Sequence, residues 1–167
     1  MVLVIEMENR FPQRKHPRLK TYDYSTPGAY FITICAHKRR CLFSKIVGRG
    51  LAPAETAYSA YGQIAMDHLL SLPARYPGVK IDRFVIMPNH IHVILILEEG
   101  CPSIPDIICA YKSMTTRTCK QVQPIDKIFQ SSFYEHVIRG QEDYDEIAEY
   151  IDNNPKQWEL DKLFSNE

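Results

Sequence analysis

Residues 29–36 read Ala-Tyr-Phe-Ile-Thr-Ile-Cys-Ala behind the turn pair Pro27-Gly28, a run of aromatic and β-branched residues that predicts a strand. After Pro53 the period changes. Tyr58, Tyr61, Ala65, Leu69 and Leu72 recur at helical spacing, and Pro73 and Pro77 are expected to stop that helix. Residues 79–87 and 90–97 predict two strands joined only by Pro88 and Asn89, as in a tight hairpin. Ser103 opens a second helix: Ser103-x-x-Asp106 resembles a capping box, and Ile104, Ile107, Ile108, Tyr111 and Thr115 form one apolar stripe. Residues 129–139 predict a fourth strand. A third helix is expected over residues 142–154, capped by Gly140, acidic in its first turns and ended by Pro155. Its packing stripe is Tyr144, Ile147 and Ile151, with Trp158 at its exit.

The order β-α-β-β-α-β-α predicts an α+β fold. Its first six elements match the ferredoxin-like βαββαβ arrangement, an antiparallel sheet with two helices on one face, and the last helix is an addition. With 167 residues and 45% apolar content the chain suits one core and is too short for a (β/α)8 barrel, which typically takes about 250 residues. The expected division is a basic arm over residues 1–28 and a single domain over 29–167. Five cysteines, with no C-x-x-C pair, predict thiols in a reducing cytoplasm. Strand-sized apolar runs predict no membrane span, and Glu6 and Glu8 interrupt the N-terminal run too early for a signal peptide.

A formal net charge of zero hides a segregation along the chain. Residues 1–50 hold ten Lys and Arg against three Asp and Glu, whereas residues 141–167 hold two against nine. Arg14, Lys15, Arg18 and Lys20 cluster in the first part, and Lys38, Arg39 and Arg40 follow the first strand. Two readings fit the charge equally: a footprint for nucleic-acid phosphates, or a solvated arm that pairs with the acidic last helix.

The candidate chemistry begins at His90-Ile91-His92. Two residues apart in a strand, both imidazoles point to one face. Among Val93, Ile94, Leu95 and Ile96 their ring nitrogens need a hydrogen-bond partner or a cation. The spacing alone leaves both open. On the last helix, Tyr150 and Asn154 lie four residues apart and share a face. If that face covers the central strands, His90, His92 and Asn154 bind a cation facially, and the Tyr150 phenol stands ready to attack phosphorus. Mixed imidazole and oxygen ligation suits Mg²⁺ or Mn²⁺ and does not exclude Zn²⁺.

Five blocks carry a resemblance across most of the chain: Arg18-Leu19-Lys20-x-Tyr22-Asp23-Tyr24, Tyr30-Phe31-Ile32-Thr33-Ile34-Cys35, Phe84-Val85-Ile86-Met87-Pro88-Asn89-His90-Ile91-His92, Phe133-Tyr134-Glu135-His136-Val137-Ile138-Arg139, and Tyr150-Ile151-x-Asn153-Asn154-Pro155. In this order they resemble the single-tyrosine HUH transposases, within them the REP-associated tyrosine transposases and their relatives. The resemblance implies that Tyr150 is the nucleophile and that His90, His92 and Asn154 hold a divalent metal, Mg²⁺ or Mn²⁺. It implies a transesterification on single-stranded DNA that leaves a 5′-phosphotyrosine and a free 3′-hydroxyl, with no nucleotide cofactor. It also implies hairpin DNA as partner, a bacterial cytoplasmic protein that joins the nucleoid when DNA-bound, no membrane, and a monomer or a homodimer. Arg14, Lys15, Arg18, Lys20, Lys38, Arg39, Arg40, Lys112 and Arg117 are the candidates for DNA contacts. The chain departs from the family in having Phe129-Gln130-Ser131 where Trp-Gln-Arg is common, and Gly140 where Asn is usual. A non-catalytic DNA-binding relative and an unrelated H-x-H metallohydrolase are the competing expectations; the short chain disfavours the second.

Overall fold

The computed structural model describes residues 21–48 and 54–165. In chain order the elements are β1 (Gly28–Cys35), a 3-10 turn (His37–Arg39), β2 (Ser44–Val47), β3 (Glu55–Tyr58), α1 (Ala60–Leu70), α2 (Leu72–Arg75), β4 (Val79–Ile86), β5 (His90–Leu97), α3 (Ile104–Val122), β6 (Tyr134–Ile138), α4 (Gln141–Asn153) and a 3-10 stretch (Pro155–Leu160). The main sheet runs β4-β5-β1-β6 with every pair antiparallel. That is the ferredoxin-like order, with β2 and β3 inserted as a separate two-stranded sheet.

β5 is buried on both faces, which its unbroken apolar run requires. Ile91, Val93 and Leu95 face the larger core, where α1 supplies Ala65 and Leu69 and α3 supplies Ile104, Ile107, Ile108 and Tyr111. Ile94 faces a second cluster with Phe31, Val85, Ile147, Ile151 and Trp158, so α4 covers the opposite face of the sheet. Two polar contacts hold α4 there. Tyr144 donates to Asp82 at 2.6 Å, and Arg83 forms an ion pair with Asp152. The register of β4 shifts between Ile81 and Arg83, and a bulge at that point lets the consecutive residues Asp82 and Arg83 both reach one helix.

Three sequence expectations change. Tyr58 belongs to β3 and is exposed, so it lies outside the stripe of α1. Pro73 lies in the first turn of α2, just after Leu72, instead of ending a helix: proline lacks only an amide hydrogen that the first turn leaves unused. The fourth strand is shorter than 129–139, because Lys112 draws residues 130–132 into a loop and Phe129 pairs only as an isolated bridge to Ala36. Gly140 precedes α4 at φ 89° and ψ 172°, a conformation essentially confined to glycine, and Asp143 takes over the capping by accepting from the Arg139 amide at 2.8 Å. Of residues 21–28, the described part of the predicted arm, Tyr24 is buried and its carbonyl accepts from the Ile104 amide at 3.0 Å, while Thr21, Asp23, Thr26, Pro27 and Gly28 are exposed.

Candidate active site

β5 carries His90 and His92 on the face under α4, and both rings are buried. β1 sets the neighbours, pairing Cys35 with His90 and Thr33 with His92. Thr33 Oγ1 lies 2.8 Å from His92 Nδ1. His90 is fixed by Asn89, which is itself fully buried. Asn89 Nδ2 donates to the carbonyls of Leu163 at 2.7 Å and Arg39 at 3.2 Å, and Asn89 Oδ1 lies 2.8 Å from His90 Nδ1. With both amide hydrogens committed to carbonyls, the oxygen must face the ring. His90 Nδ1 therefore carries the proton and Nε2 presents a lone pair.

Helix α4 places Tyr150 over the pair. Its hydroxyl is 3.4 Å from His92 Nε2 and 3.4 Å from Asp161 Oδ2. Phe31 meets both rings, with centroids 5.2 Å from His92 and 6.2 Å from Tyr150. One turn on, Asn154 is buried and its Nδ2 donates to Asp161 Oδ2 at 2.8 Å. The 3-10 stretch after Pro155 then doubles the chain back, seating Trp158 against His90 at 5.9 Å between centroids. It delivers Asp161, whose side chain is 1% exposed and whose Oδ2 is 3.8 Å from His90 Nε2. His90, His92 and Asp161 bring one ligand atom each to within 4.8 Å of one another.

The electrostatics favour a cation. Burial pushes His90 down to about 4, against the pull of the Asp161 charge. Burial, and then the charge of His90, put His92 well below the ordinary imidazole range. Both rings are therefore neutral at neutral pH, the form that ligates metal. His90 Nε2 and Asn154 Oδ1 are buried without a hydrogen-bond partner, next to the carboxylate of Asp161. Two orphaned acceptors and a buried carboxylate fit a divalent cation: it would remove the cost of leaving each unpaired.

Tyr150, His90, His92 and Asn154 come together within one chain. Asp161 was missing from the sequence reading. It is one of nine acidic residues after position 140, and only the fold-back after Pro155 distinguishes it.

Among the DNA-contact candidates, Lys38 and Arg39 are exposed on the turn after β1, and Arg117 is exposed on α3. Arg40 is half-buried and donates to the Lys127 carbonyl at 2.7 Å. Lys112 is half-buried on α3. Its Nζ donates to the carbonyls of Gln130, Ser131 and Ser132 at 2.8, 3.3 and 2.8 Å, so its three hydrogens brace a loop. Arg14, Lys15, Arg18 and Lys20 lie outside the described residues.

Residues 61–154 match the family model described as Transposase IS200 like. A Haemophilus influenzae protein of unassigned function is 34% identical over 172 aligned positions, covering 90% of this chain and 93% of its own length. An Escherichia coli REP-associated tyrosine transposase is 33% identical over 90 residues, 54% of this chain and 52% of that protein. The structure of a REP-associated tyrosine transposase bound to a REP hairpin superposes with a TM-score of 0.65 at 23% identity, covering 85% of this chain and 74% of that one. A candidate transposase from Deinococcus radiodurans gives a TM-score of 0.51 at 18% identity over 84% of this chain and 97% of its own. Both structures share the fold.

Proposed function

The chain belongs to the IS200-like transposase family, and we propose that it cleaves and rejoins single-stranded DNA through Tyr150, assisted by a divalent metal and directed by DNA hairpins. One observation carries the reading: the Tyr150 hydroxyl lies 3.4 Å from both His92 Nε2 and Asp161 Oδ2, beside the unpartnered Nε2 of His90. His90, His92 and Asp161 would hold the metal, Asn154 would join them through Oδ1, and the fit to Mg²⁺ or Mn²⁺ rests on this mixed imidazole and oxygen donor set. When bound, such an ion polarises a phosphoryl oxygen.

The chain's own residues supply the rest. His92 Nε2 and Asp161 Oδ2, both 3.4 Å from the Tyr150 hydroxyl, orient it, and its proton passes to solvent as the oxygen attacks. Tyr150 Oη forms a bond to phosphorus while the bond to O3′ breaks, and the departing oxygen takes a proton from solvent to become the 3′-hydroxyl. The DNA 5′ end stays on Tyr150, so rejoining needs no nucleotide. Phe31 holds the phenol edge-on, Asn89 keeps His90 in the ligand tautomer, and Thr33 Oγ1 holds the His92 ring through Nδ1. Hairpin direction is supported by the relative described as bound to a REP hairpin.

The test is a trapped adduct. With Mn²⁺ and a library of single-stranded hairpins, the wild-type chain should form a protease-sensitive protein–DNA product, and Tyr150→Phe should form none while still binding DNA. An adduct that persists in Tyr150→Phe would remove the nucleophile assignment.

A further inference from the structure

In the fold, the charge segregation takes on a direction. Helix α4, which roofs the active site, carries Glu142, Asp145 and Glu149 exposed on its outside. A polyanion arriving over that helix meets like charge. Exposed cations stand at another edge: Lys38 and Arg39 on the turn after β1, and Lys162 directly after Asp161.

Beyond the turn, α3 and residues 126–131 enclose an open groove of about 470 Å³. Arg117, Lys120 and Lys127 line it, all exposed, with the hydroxyls of Ser113 and Thr116 between them. Ser113, Thr116, Arg117 and Lys120 recur at helical spacing and so share one face of α3. None of the three cations has a side-chain partner among the described residues. Asp126 is the one acid among the described lining residues. Among the described residues that line it the only aromatic ring, Phe129, is buried, so these residues offer cations and hydroxyls and no exposed ring for a base to stack on. That chemistry suits a phosphate backbone.

Groove and active site are one hydrogen-bonded unit. His37 donates to the Ile128 carbonyl at 2.8 Å, Gln130 to the Cys35 carbonyl at 2.9 Å, and Arg40 to the Lys127 carbonyl at 2.7 Å. Cys35 stands opposite His90 in the sheet. Between the two lie Lys38 and Arg39, at φ 57° and 55°, a left-handed pair that side chains adopt at a cost and that the buried Asn89 secures through the Arg39 carbonyl.

We infer that the groove seats the double-stranded stem of a hairpin substrate on Arg117, Lys120 and Lys127, while Lys38 and Arg39 lead the unpaired strand from the foot of the stem to Tyr150. The inference rests on the proposed action on hairpin DNA. It adds where the stem sits and from which side the strand enters.

Binding across a salt series separates the two claims. The triple variant Arg117→Gln/Lys120→Gln/Lys127→Gln alters exposed positions, and circular dichroism checks its fold. For a hairpin with one unpaired flank, the slope of log affinity against log salt should become shallower by about 2–3, with about tenfold or more lost in affinity. For an unpaired strand of equal length it should change by less than about 1. An unchanged hairpin slope would overturn the stem assignment, and so would an equal loss on both DNAs; in either case an adduct formed by the wild-type chain leaves the proposed function standing. A wild-type chain that binds no hairpin overturns both.

Discussion

The two faces of β5 differ in how they meet the cost of burial. On one, Ile91, Val93 and Leu95 are fully buried among aliphatic and aromatic side chains and need no polar partner. On the other, two residues as deeply buried are imidazoles, and their neighbours leave His90 Nε2 and Asn154 Oδ1 unpaired. The first face is finished by folding. The second, assembled from Asn89, Thr33, Asp161 and α4, keeps acceptors that a cation would satisfy. Alternation in one strand thus divides stability from function, because only a polar face leaves electron pairs for a cation.

The sharpest way to break that division is to change one residue on each side. His92→Gln should abolish Mn²⁺ binding and reduce adduct formation by about 10³-fold or more, as expected for loss of a group acting directly on the reacting centre. Its metal-free denaturation midpoint should stay close to that of the wild type. Leu95→Ala should do the reverse, costing about 2–5 kcal/mol of stability through the cavity it leaves, with Mn²⁺ affinity per folded molecule kept. If both variants lost stability equally and metal binding equally, the division between faces would be gone.

Asn89 touches no reacting atom, so its effect should be smaller. Asn89→Ala frees His90 to turn and releases the carbonyls of Arg39 and Leu163. Metal affinity should fall by about 10–100-fold, the usual cost of losing a group that orients a ligand. Calorimetric Mn²⁺ titration reads it directly. An unchanged affinity would show that the tautomer is set by something else.

The smallest expected effect is a pH dependence of the metal-free protein. His90 sits at about 4 in the fold and His92 is also depressed, both through burial, against an ordinary imidazole value of 6.5. Below about 6.5 the unfolded chain takes up protons that the folded chain refuses, so stability is complete above that pH and declines as pH falls toward 4. Urea midpoints across this range should drop, and His92→Gln should flatten the curve. A wild-type curve as flat as the variant's would contradict the burial of neutral rings.

The sequence made the second face legible in part. His90 and His92 are two apart in a β-branched run, which fixes their common side, and Tyr150 and Asn154 are four apart before a proline, which fixes theirs. The stripe of α3 was equally readable, since every residue assigned to it is buried. Asp161 was not, because its place depends on a fold-back that no local periodicity encodes. The β2–β3 hairpin escaped for a different reason: with little of it buried it has no alternation to read. Lys112 looked like any other exposed cation on a helix, and only the convergence of three loop carbonyls reveals its structural work.

The central claim is that one chain gathers His90, His92 and Asp161 around a cation within reach of its own Tyr150. Anomalous scattering from crystals grown with Mn²⁺ tests it most directly. The account predicts one strong peak bounded by the ring nitrogens of His90 and His92 and the carboxylate of Asp161, beneath the Tyr150 hydroxyl of the same chain, and its disappearance in His92→Gln. Manganese bound only elsewhere, or a peak met by the tyrosine of another chain, would contradict it.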